Sequence, residues 1–188
     1  MFYYAVQVVT GKEKAFVKNA KMALEKINSN IELIFLTRRL NIRKEGKNFW
    51  VEQPLFSSYV FLKCYSEISD FTVDTLTKLP DFYHFLPSNA QLKPMHRHDV
   101  ELLEHFNSIG QTLGPSIVHF DAEDRIVVHK GPLQGLEGNI IKVDRRKKRA
   151  KICIDFNDSP ILIDLAFEIL DKKSTSQSTS SHDRAPQN

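Results

Sequence analysis

Cysteine is nearly missing from this 188-residue chain: there are two, Cys64 and Cys153, far apart and each inside an apolar run. Metal sites need several ligands at short spacing, and a disulfide framework needs more pairs in a short chain, so neither is expected. Both thiols read as reduced strand residues. No apolar run approaches the roughly 20 residues needed to span a bilayer. The apolar start through Val9 lacks a basic leading region and a small-residue cleavage site, so it does not read as a signal peptide. A cytoplasmic protein without membrane contact is expected. Charge of one sign is lacking too. With 26 basic and 23 acidic residues the formal net charge is only +3, so the placement of charge carries the information. Catalytic sets are missing as well. His96 and His98 have no third ligand at useful spacing. His119 and His129 border strands with no nucleophile pattern nearby. Gly131, Gly135 and Gly138 lie between strands and not ahead of a helix, unlike a phosphate-cradling loop. An enzyme is not expected, and neither is a cofactor or a metal.

What is present is a composition of 41% hydrophobic residues, enough for a core, in two differently patterned halves. Phe2–Val9 is an aromatic and β-branched run, a buried strand closed by Gly11. Lys12–Asn28 carries Phe16, Ala20, Ala23, Leu24 and Ile27 at helical spacing. Ile31–Leu36 reads as a strand, and the basic segment Thr37–Glu52 around Gly46 as a hairpin or loop. Leu55–Lys63 is the strongest strand signal. Glu67–Leu79 suits a helix capped by Ser66 or Ser69 and stopped by Pro80. An aromatic strand, Asp81–Leu86, and a helix, Asp99–Ser108, follow. This order predicts an α+β domain over 1–108, an antiparallel sheet with flanking helices on one side. Residues 109–120, with Gly110, Gly114 and Pro115, are expected to be a linker. Beyond them the pattern alternates with period two at Ile126/Val128, Ile141/Val143, Ile152/Ile154/Phe156 and Ile161/Ile163/Leu165. That predicts a small all-β barrel over 121–171. After Asp171 little remains to bury, so 172–188 is expected to be a disordered tail.

Within the second half, Ile126–Val128 leads into Gly131–Pro132, then Gly135, Gly138 and the apolar Ile140–Val143. This arrangement resembles the KOW motif. Its glycines would supply positive φ or close backbone approach at a bent turn. In the first half, Tyr3–Val8 followed by Gly11 and an amphipathic helix is similar to the opening of the NusG N-terminal domain. Leu55–Leu62 resembles that family's Phe-Pro-Gly-Tyr-Val strand, and Leu79–Leu86 with Lys93–Pro94–Met95 its ending. Ser57–Ser58 stands where the family has Pro-Gly, a looser turn that suggests a specialised paralogue; the basic hairpin around Arg145–Arg149 makes it similar to the LoaP group, with the RfaH group as the second possibility.

The resemblance implies a transcription elongation factor that binds RNA polymerase and suppresses pausing or termination, with processive antitermination of specific operons. Phe56, Tyr59, Phe61, Phe82 and Phe85 match positions lining a depression for the β′ clamp helices of RNA polymerase. Tyr59 and Phe61 share one strand face while Val60 and Leu62 share the other. A basic run, Lys142, Arg145, Arg146, Lys147, Lys148 and Arg149, crowds one hairpin, where several cations would give salt-dependent binding of an RNA hairpin. Arg38, Arg39, Arg43 and Lys44 form a second basic segment, matching one that lies near upstream nucleic acid in the family. Leu136 and Phe156 fall where some relatives contact the ribosome. Leucine there, with Asp155 and Asp158 nearby, argues against that partner, although the ribosome and other elongation factors stay on the partner list of the resemblance. A monomer is expected. The competing class is a KOW-containing RNA-binding or ribosome-associated protein without polymerase contact.

Overall fold

The computed structural model describes residues 1–170, so the expected tail at 172–188 lies outside them. The chain runs β1 (Phe2–Val8), α1 (Glu13–Lys26), β2 (Glu32–Ile34), β3 (Thr37–Lys44), β4 (Lys47–Pro54), β5 (Tyr59–Cys64), α2 (Asp70–Thr77), β6 (Phe82–Phe85), α3 (Arg97–Ile109), β7 (Thr112–Leu113), β8 (Ser116–Phe120), β9 (Ile126–Lys130), β10 (Ile140–Asp144), β11 (Arg149–Phe156) and β12 (Ser159–Ile169). The first sheet has the order β2-β5-β1-β6, all antiparallel. A three-stranded sheet, β4-β3-β7, holds the expected hairpin, and a five-stranded sheet, β10-β11-β12-β8-β9, makes up the second half.

The period of two divides the first sheet between two cores. Tyr4, Val6, Val8, Val60, Leu62 and Cys64 face Phe16, Ala20 and Leu24 of α1, with Leu76 of α2 and Phe85. Tyr3, Ala5 and Phe61 face the opposite way, onto Leu102, Leu103 and Phe106 of α3. Helix α1 forms because its apolar residues fall three and four apart, one stripe of a 3.6-residue turn. Helix α2 starts at Ser69, whose hydroxyl accepts from the Thr72 amide at 3.3 Å, and ends ahead of Pro80. Burial pushes the Cys64 thiol up to about 11, which keeps it protonated and inert. The turn ahead of β5 is firmly tied despite its Ser57–Ser58 sequence. Ser58 takes φ +68°, its amide donates to the buried Glu13 carboxylate at 2.9 Å, and its carbonyl accepts from Val8. The start of α1 thus supplies the stiffness that Pro-Gly would have given.

The segment expected as a linker is not one. Leu113 sits in β7, beside β3, and Ser116–Phe120 is a strand of the second sheet, parallel to β12 and antiparallel to β9. Leu113 and Val118 are fully buried. Gly110, Gly114 and Pro115 masked two strands too short to show an alternation. In the second half, β12 pairs with β11 and then, over its last residues, with β8, so the sheet curls into a half-barrel.

Gly131 is required by close approach: it has φ +105°, and a Cβ there would stand 2.8 Å from the Cα of Ser116. The Ser116 hydroxyl accepts the Leu133 amide at 3.0 Å, so the contact cannot relax without losing a buried bond. Gly135 has φ +80°, but Gly138 shows neither a positive φ nor a close neighbour, against the expectation for all three. Gly131→Ala should therefore cost about 2–4 kcal/mol of stability through strain and the displaced strand, and Gly138→Ala less than about 1 kcal/mol. Urea unfolding of both variants checks this; equal costs would contradict it.

Candidate functional site: an aromatic face and two basic hairpins

Tyr59 and Phe61 share the face of β5 opposite Val60 and Leu62, and Phe56 packs beside them just before the strand. Phe56 and Phe61 meet edge-on at 5.5 Å between ring centroids, and Tyr59 stacks on Phe61 at 6.5 Å. This face is not open. Phe156, at the end of β11, seats its ring 5.1 Å from Phe56, 5.7 Å from Phe61 and 5.9 Å from Tyr59. Phe56 and Phe61 are buried and Tyr59 half-buried as a result. Phe82 and Phe85 do not join them. Phe85 lies opposite Val6 and is fully buried, and Phe82 packs against Phe16 and Phe85, so both belong to the core on the other side of the sheet. The sequence showed two aromatic strands; the register of β6 on β1 puts their rings on opposite faces.

The two halves consequently share one hydrophobic core. It runs from Tyr3, Phe61 and Phe106 through Phe56 and Phe156 to Ile152, Leu165 and Phe167. Polar contacts border it. The Asn157 amide donates to the Asp99 carboxylate at 3.1 Å, and Arg38 donates to the Asp164 carbonyl at 2.9 Å. Arg149 donates to the Asn41 carbonyl. Both arginines keep a buried Nε without a partner among the described residues. Burial, with Arg149 nearby and Asp164 opposing, pulls the Arg38 guanidinium below its ordinary value. Arg38 and Arg149, expected to meet nucleic acid, are therefore interface residues here.

The remaining cations of the second hairpin stay outside. Lys142, Arg146, Lys147 and Lys148 are exposed around the β10–β11 turn. Lys147 donates its amide to Asp144 at 2.8 Å, a contact that shapes the turn. Arg145 lies over the Phe120 ring at 3.6 Å and pairs with Asp124, so it is partly committed. On the first hairpin Arg39, Arg43 and Lys44 are exposed. Two features escaped the sequence reading. Phe49 and Trp50 are half-exposed on β4 of that basic hairpin, which the surplus of polar residues around them concealed. His119 and His129 meet ring to ring, Nδ1 to Nε2 at 2.7 Å, across β8 and β9; their ten-residue separation gave no hint. No group of three or more potential metal ligands occurs among the described residues, and no described helix is long and apolar enough to cross a membrane.

The described residues thus form an α+β sheet unit carrying an aromatic strand, followed by a curled β half-barrel with a Gly-Pro turn and a basic tip. The family model described as "Transcription termination factor nusG" matches residues 1–104, and the chain belongs to the NusG family. Among curated relatives, the transcription termination/antitermination protein NusG of Rickettsia felis is 23% identical over 177 residues, covering 90% of this chain and 89% of its own. Its Synechocystis counterpart is 23% identical over 186 residues, covering 91% and 89%. A solved structure described as "Domain interaction in Thermotoga maritima NusG" aligns at 17% identity with a TM-score of 0.49, covering 88% of this chain and 93% of that one.

Because the core is continuous, the chain should unfold in a single calorimetric transition. Phe156→Ala removes the ring that joins the halves, a loss worth about 3–5 kcal/mol for a buried phenylalanine, and should split the transition in two. Two transitions in the unaltered chain would contradict the shared core.

Proposed function

We propose that this protein is a transcription elongation factor that docks on the β′ clamp helices of RNA polymerase through Phe56, Tyr59 and Phe61. The observation that carries this reading is the match of the NusG family model to the unit that bears these rings. The relatives' names, transcription termination/antitermination protein, support a role in elongation control. The rings face away from the core of α1 and α2, and Phe156 covers them in place of a partner. Docking requires the half-barrel to swing away, so only the open fraction of molecules binds. Suppression of pausing follows if the factor binds the non-paused polymerase more tightly than the paused one. The exposed cations Lys142, Arg146, Lys147 and Lys148 would then hold RNA phosphates. Processive antitermination of particular operons, as in a specialised paralogue of the LoaP kind, is the finer reading.

One observation favours the alternative of an RNA-binding protein without polymerase contact. In the closed arrangement the aromatic face is covered while the basic tip stays exposed. Two variants separate the readings. Tyr59→Ala, at a half-buried ring, should abolish retention of bacterial RNA polymerase by the immobilised full-length protein and leave RNA shifts unchanged. Alanine at Lys142, Arg146, Lys147 and Lys148 should abolish the RNA shift and leave polymerase retention intact. Retention by neither the unaltered chain nor the variants, with RNA shifts preserved, would establish the alternative.

A further inference from the structure

His119 on β8 and His129 on β9 stand ten residues apart in the chain, too far for a chelate read from spacing, and the pairing of the two strands brings them together. The register explains how. Val118 lies opposite Val128, but Ile117 lies opposite Lys130, one residue out of step. His129 is the extra residue, left without a partner, and so marks a β-bulge, which re-aims a side chain. Val118 is buried, so His119 beside it points to the outer face. The bulge turns the His129 ring onto that face, where its Nε2 stands 2.7 Å from Nδ1 of His119. The backbone at this end of the strands is fixed. Gly131 approaches Ser116 too closely to admit a Cβ, and the Ser116 hydroxyl holds the Leu133 amide.

We infer that His119 and His129 form a two-imidazole surface site for a late first-row divalent metal ion, of the class of Zn²⁺, Ni²⁺ and Cu²⁺. In the neutral pair one of the facing nitrogens donates to the other, so a shift of the donor ring to its other tautomer leaves two lone pairs converging on one point. The ring centroids are 4.7 Å apart against 2.7 Å for the nitrogens, so the edges and not the faces meet, as two ligands of one ion do. An ion about 2.0–2.1 Å from each nitrogen holds them about 3.3 Å apart in tetrahedral geometry, so the 2.7 Å pair has to part by only about 0.6 Å. Imidazole suits these ions, whereas Mg²⁺ and Ca²⁺ take oxygen ligands. The pair opens into a depression of about 410 Å³ lined by Phe120, Ile169 and Leu170, which leaves room for water at the remaining positions of the ion. Lys130 and Glu168 both stand opposite Ile117, on the strands to either side, and their charges offset. Because β9 is the edge of its sheet, an ion held by both rings ties that edge to β8.

The test takes the full-length protein, stripped of metal with EDTA and returned to buffer without it. Calorimetric titration with Zn²⁺ should show saturable binding, with Cu²⁺ tighter than Zn²⁺ and no response to Mg²⁺. His119→Ala and His129→Ala should each weaken Zn²⁺ binding by more than about tenfold, since even a residue behind a metal ligand is worth that much. His96→Ala with His98→Ala should leave it unchanged. His119 is half-buried and His129 exposed, so neither substitution empties the core. A second readout needs no variant: in nitrogen-15 spectra of the unaltered chain, Zn²⁺ should move the ring nitrogens of His119 and His129 and leave those of His96 and His98 in place. Saturating Zn²⁺ should also raise the unfolding temperature of the unaltered chain and not that of the double alanine variant. Zn²⁺ binding that survives both substitutions, shifts confined to other histidines, or no saturable binding at all would each overturn the site.

Discussion

The arrangement of this molecule depends on one seat: the Phe156 ring among Phe56, Tyr59 and Phe61. Three aromatic side chains on the outer face of a sheet present a patch too large to leave in water at no cost. Helix α3 covers part of it with Phe106, 6.2 Å from Phe56. The remainder is closed by the tip of β11–β12, held by the Asn157 amide on Asp99. This contact joins two sheets into one core and decides which surfaces the protein shows. While it holds, the aromatic face is withdrawn, and Arg38 and Arg149 are drawn into the seam with it. Opening it would release the apolar surface and both guanidiniums together. On the proposed reading, uncovering the docking face and raising the positive charge beside it would be one event.

The polar part of the seam is imperfect. Each arginine gives a bond to a main-chain carbonyl yet keeps an unpaired buried Nε, a cost that opening into water removes. The interface is therefore apolar where it gains and imperfect where it is polar. On the proposed reading, a partner that binds the aromatic face better than Phe156 does would draw the molecule open.

Much of this was legible in the sequence, wherever a period was long enough to read. The face division of β5, the stripe of α1, a serine cap on α2 (Ser66 or Ser69) and the Gly131–Pro132 turn all followed from local chemistry, as did the KOW and NusG resemblances. Register and long-range contact were not legible. The placement of Phe82 and Phe85 on the far core follows from how β6 pairs with β1, which no local pattern encodes. Strands at Leu113 and Val118 were hidden by the glycines and proline around them, since pairing there is set by β3 and β12. Arg38 and Arg149 read as members of two basic nucleic-acid segments, because a seam between halves leaves no periodic trace. The Ser57–Ser58 turn took its stiffness from Glu13, a residue 45 positions away from the amide that it holds.

On the proposed reading Phe156 competes with the polymerase for the same three rings. The most direct test is the equilibrium affinity of bacterial core RNA polymerase for the full-length chain and for its Phe156→Ala variant, measured side by side. Tighter binding by the variant is expected, because the closed state no longer withholds the aromatic face. Equal or weaker binding would show that the rings beneath Phe156 are core and not the docking surface.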